Sequence, residues 1–61
     1  MPVITVDCNK LTREQKRELV KSITEVSSKI MCLPESTITI LIREVAAEDV
    51  GVGGELLCDR V

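Results

Sequence analysis

Pro2 carries the most unusual chemical prospect in this chain. A small second residue favours removal of Met1, and removal would leave a secondary amine at the chain terminus. Such an amine titrates close enough to neutrality to accept a carbon-bound proton without help from any side chain, and it can also attack carbonyls as a nucleophile. Proline after methionine is common, so taken alone Pro2 marks no more than the start of the chain. Other reactive groups are few. There is no histidine and no aromatic residue, so the commonest general base and the usual stacking surfaces are missing. Cys8, Cys32 and Cys58 cannot all pair within one chain, and with no histidine and no C-x-x-C spacing they match no zinc pattern. Each lies in or beside an apolar segment, where a reduced thiol behaves as a small hydrophobe. No metal is expected. Gly51-Val52-Gly53-Gly54 has the look of a phosphate loop, but no Lys-Ser/Thr follows and no helix opens after it, so it reads as a turn.

The elements that must position Pro2 are legible in the hydropathy pattern. From Pro2 to Cys8 the chain is β-branched and alternating, with Ile4, Val6 and Cys8 on one side and Val3, Thr5 and Asp7 on the other, which predicts a strand. Thr12-Arg13-Glu14-Gln15 matches a capping box and predicts a helix starting at Arg13. Leu19, Ile23, Val26 and Ile30, widened by Val20 and Met31, form its apolar stripe, and Pro34 ends the run. A second strand is predicted over 37–44, with Ile38, Ile40 and Ile42 toward the helix and Thr39, Leu41 and Arg43 away from it. Strand, helix and strand make a β-α-β unit with two parallel strands, an α/β (α+β two-layer) fold. In the tail, 50–52 and 56–58 flank the glycines as a short hairpin or a clasp on a neighbouring subunit.

Length and charge bound the rest. A 61-residue chain fits one domain and hides only about 60% of the surface its unfolded form exposes. One helix covers one sheet face. Val3, Thr5, Thr39 and Leu41 remain on the other, and another copy of the chain is the simplest cover, so a homo-oligomer is expected. Eight Lys and Arg against ten Asp and Glu leave a net charge of −2, without the basic excess that nucleic acid attracts. No apolar run approaches the ~20 residues of a membrane span, and no signal-peptide pattern opens the chain. Unpaired cysteines then place the protein in a reducing cytoplasm.

Read together, the pieces acquire a pattern. Pro2 opening a short strand, Glu14-Gln15-Lys16 in a capped helix, Pro34 in the turn, an Ile-rich strand ending at Glu44, and Gly51-Val52-Gly53-Gly54-Glu55-Leu56 resemble the 4-oxalocrotonate tautomerase family over the whole chain. Pro2 and the glycine stretch are the specific part. The resemblance implies a single tautomerase-like domain over 1–61, assembled as a hexamer, a trimer of dimers. It also implies a cofactor-independent isomerase in which Pro2 is the general base, moving a proton in 2-hydroxy-dienoates or other keto/enol acids.

Three positions depart from the family pattern. Leu11 stands where the family places an arginine before the helix, with the chain one residue shorter there, Thr39 aligns with a second arginine, and Val50 aligns with a phenylalanine. A guanidinium grips a carboxylate in two places at once, which Leu and Thr cannot do. Lys10, Arg43 or the tail's Arg60 is the candidate replacement, although each reads first as an ordinary solvated charge. Pro2 is therefore the expected catalytic residue, with Lys10, Thr39, Arg43 and Val50 as substrate-facing positions. The alternative is a catalytically degenerate oligomeric binding module on the same scaffold.

Overall fold

The computed structural model describes residues 1–60; the last residue of the expected 1–61 unit, Val61, lies outside them. Strand β1, Val3–Cys8, leads through a short connection into helix α1, Arg13–Met31, and the chain returns in strand β2, Thr39–Glu44. The two strands are parallel and in register from Val3↔Thr39 to Cys8↔Glu44. The expected capping box starts the helix: the Gln15 amide donates to Thr12 Oγ1 at 3.1 Å and the Thr12 amide to Gln15 Oε1 at 2.9 Å.

At the other end the helix stops before Pro34 acts. Cys32 takes a left-handed conformation, φ 56°, and its amide, like that of Leu33, turns back to the Ser28 carbonyl. The second strand likewise starts later than the alternation predicts. Glu35–Thr37 is a 3-10 turn, because the amides of Thr37 and Ile38 are drawn back to the carbonyls of Pro34 and Glu35. The tail makes the expected hairpin, of β3, Gly51–Val52, and β4, Glu55–Leu56. Its two-residue turn needs positive φ twice, supplied by Gly53 at 63° and Gly54 at 87°. Leu57, expected to continue the hairpin, instead opens a 3-10 turn.

The sheet is two-sided as expected. Ile4, Val6, Cys8, Ile38, Ile40 and Ile42 are half-buried, while Val3, Thr5, Asp7, Thr39, Leu41 and Arg43 are exposed. The helix face is rotated from the predicted stripe. Lys16, Leu19, Val20, Ile23, Thr24, Ser27 and Ser28 are the covered positions, and Val26 and Ile30 are 52% and 77% exposed. A two-stranded sheet covers only part of the stripe, so Leu19, Val20 and Ile23 are half-buried while Val26, Ile30 and Met31 stay exposed. Among the described residues no hydrophobic side chain is buried. The radius of gyration is 14.7 Å, against about 10 Å for a compact chain of this length.

Candidate active site

Pro2 is half-buried at the head of β1, where its carbonyl accepts the Thr39 amide at 3.1 Å. Parallel strands bring the segment before β2 to the same end of the sheet. Leu33, Ser36 and Thr37 therefore line an open depression of about 350 Å³ beside Met1 and Pro2. Thr37 is held there twice, its amide and its Oγ1 both donating to the Pro34 carbonyl, at 3.1 and 2.8 Å. The wall beside Pro2 is thus one leucine and two hydroxyls. Pattern reading passed over these three residues, although the parallel topology it predicted already places the turn before β2 next to Pro2.

The other candidates lie at the opposite end. Arg43 pairs in register with Asp7, five residues along β1 and so about 16 Å from Pro2. Its Nε donates to Asp7 Oδ1 at 2.8 Å and its Nη2 to Oδ2 at 3.3 Å. Val50 is half-buried in a second depression of about 370 Å³ that also takes in Asp7, Cys8, Asn9, Val45 and Leu57. Lys10 sits in the connection after β1, at that same end. Of the predicted positions, only Thr39 adjoins Pro2 within one chain, while Lys10, Arg43 and Val50 gather at the far end of the sheet. A wider groove of about 470 Å³ runs along α1 past Leu11, Glu14 and Glu18. It contains none of the candidates, and its only charged lining residues are the carboxylates of Glu14 and Glu18, which suits an acidic substrate poorly.

Glu44, which sequence reading used only as a strand end, organises the far end. Its Oε2 accepts the Leu11 amide at 2.9 Å, and its Oε1 lies 3.2 Å from Lys16 Nζ. The amide bond first, then Lys16, hold its carboxyl below the usual carboxylate range, and Lys10 adds a smaller favourable charge. No cluster of three or more metal-ligating side chains occurs among the described residues, and no helix is long and apolar enough to cross a membrane.

Comparison with known proteins agrees with this architecture. A probable tautomerase of Listeria monocytogenes is 38% identical over 55 residues, covering 88% of this chain and 90% of the relative. The crystal structure of DmpI from Archaeoglobus fulgidus superposes with a TM-score of 0.88 at 48% identity, over 95% of this chain and all of that one. YwhB, a homologue of 4-oxalocrotonate tautomerase, superposes with a TM-score of 0.91 at 33% identity, over 98% of this chain and all of its own. With the tautomerase enzyme family model matching residues 2–60 and solved 4-oxalocrotonate tautomerase homologues sharing its β-α-β fold, the chain belongs to the tautomerase family.

Proposed function

We propose that the chain is a cofactor-independent tautomerase in which the amine of Pro2, freed by loss of Met1, is the general base. The lone pair takes a proton from a hydroxyl or a carbon of a 2-hydroxy-dienoate or keto/enol acid and returns it to another carbon. No redox change or leaving group is involved. The observation that carries this reading is the placement of Pro2: half-buried at a strand head, in an open depression, in a chain of the tautomerase family.

Substrate recognition is proposed to come from a second copy of the chain. Pro2 and Thr39 sit at one end of the sheet and Lys10, Arg43 and Val50 at the other, so one subunit cannot bring them to one ligand. Assembly as a homo-oligomer, a hexamer on the family resemblance, would place the end of one subunit against the head of another, and the exposed Val3, Val26, Ile30 and Leu41 supply apolar surface for it. Of the replacement cations, Lys10 is favoured over Arg43, while Arg60 lies in the tail beside Gly53. Arg43 is already neutralised by Asp7, whereas Lys10 forms no ion pair among the described residues. Three unpaired thiols support a reducing, cytoplasmic location.

The test compares mature wild-type protein with Pro2→Ala on the enol forms of 2-hydroxymuconate and phenylpyruvate. A fall of about 10²- to 10⁴-fold, the usual contribution of a general base, is expected. Equal rates in the two proteins refute the reading. The second reading, a non-catalytic binding module, is favoured by the Asp7–Arg43 pair, in which the one strand-borne guanidinium among the described residues already has a carboxylate partner. Intact-mass measurement separates the two, since a retained Met1 leaves the Pro2 nitrogen a non-basic amide.

A further inference from the structure

We propose that Glu44 is a positioning residue for Lys10, holding the connection after β1 so that the Lys10 ammonium stays available for the carboxylate of a substrate. This inference rests on the Pro2 reading and on Lys10 as its recognition cation.

Three observations carry it. The backbone ladder between the strands closes at their ends, with Cys8 opposite Glu44 and the Val45 amide donating to the Cys8 carbonyl at 2.8 Å. Beyond Cys8, residues 9–11 lie in neither strand nor helix. What ties this stretch to β2 is the bond from the Leu11 amide to Glu44 Oε2, one residue past Lys10. Secondly, both Glu44 oxygens are engaged, Oε1 by Lys16 at 3.2 Å. The carboxylate is thereby occupied and Lys10 is left outside ion-pair distance, although near enough to feel its charge. Thirdly, alternation along β2 sends Arg43 to the opposite face, where Asp7 neutralises it. Among the cations at this end of the sheet, Lys16 and Arg43 are held by carboxylates and Lys10 is not. A single-point charge on a flexible stem needs a fixed backbone to act at one place, and the Glu44–Leu11 bond supplies that anchor.

The experiment is a double-mutant cycle between Glu44→Ala and Lys10→Gln, in the mature oligomer, with the enol form of 2-hydroxymuconate as the probe and melting temperature recorded for each protein. Lys10→Gln is expected to raise KM about tenfold or more, the loss of a charge-assisted hydrogen bond. Glu44→Ala is expected to raise KM severalfold with kcat within about twofold of wild type, and to raise it no further when Lys10 is already Gln. Glu44→Gln keeps an acceptor for the Leu11 amide and should recover most of the wild-type KM. If Glu44→Ala does not assemble, Glu44→Asp, one methylene shorter, carries the same comparison. A KM rise of equal size in the Lys10→Gln background overturns the proposal, as does a lowered melting temperature with KM unchanged. Unchanged KM in Lys10→Gln also overturns it, and does so without touching the Pro2 reading, which stands or falls on whether Pro2→Ala has lost turnover.

Discussion

Replacing Leu41 with aspartate puts the half-built core to a direct test. Leu41 lies on the sheet face away from α1, in register with Thr5 and on the same face as Val3, and is 50% exposed in the single chain. Full burial of a leucine side chain contributes about 1.5–3 kcal/mol, so with half already covered about 1 kcal/mol per subunit is left for a neighbouring copy to gain. Aspartate forfeits that gain and brings a carboxylate into a face that assembly would dry, at a further cost of at least a few kcal/mol. Since 1.4 kcal/mol is tenfold in affinity, the combined loss corresponds to roughly a hundredfold or more in the association constant. If the face is simply solvated, a surface substitution of this kind should move stability by no more than about 0.5 kcal/mol. Sedimentation equilibrium over a dilution series, with melting curves at each concentration, tells these apart. The wild type should hold one oligomeric mass with a melting temperature that rises with concentration, and Leu41→Asp should dissociate and melt early. Wild-type mass and melting in Leu41→Asp would refute the argument that this face is a subunit interface.

Two further outcomes follow from local structure. Glu44 has its carboxyl held below its ordinary range by the Leu11 amide and Lys16, so in the window between its folded and unfolded values the unfolded chain binds more protons. The stabilisation is therefore complete above the ordinary carboxylate range and is lost as pH falls through the folded value, and acid melting of Glu44→Gln should lack that component. Thr12→Ala removes one half of the capping box and should cost about 1 kcal/mol, read as a lower melting temperature with the assembled mass unchanged.

Most of the fold was legible because it rests on local rules. Alternation in β1 and β2 sorted inward from outward residues correctly from Val3↔Thr39 to Asp7↔Arg43, and the Thr12–Gln15 box marked the helix start. The departures lie where a non-local fact decides. Val26 and Ile30 belong to the apolar stripe by spacing, yet the width of the sheet decides how much of the stripe is covered, and width depends on how many strands pair. Cys32 adopts a left-handed conformation that a non-glycine residue rarely takes, and no periodicity announces it. Thr37 has strand propensity, but its hydroxyl and amide find the Pro34 carbonyl first.

The candidate site divides along the same line. Pro2 needs no partner to be noticed, since its chemistry comes from its position in the chain. Choosing between Lys10 and Arg43 needs the strand register. Asp7 is as near to Lys10 in sequence as any carboxylate, and a reading by proximity would pair those two. The ladder instead sets Asp7 opposite Arg43, while Glu44, on the other face, turns to Lys16 and the Leu11 amide. A shift of β2 by one residue would exchange the faces of Arg43 and Glu44, and with them which cation is left unpaired. Any substrate recognition by Lys10 is thus a consequence of how β1 and β2 align, which is why it became visible only once the two strands were set side by side.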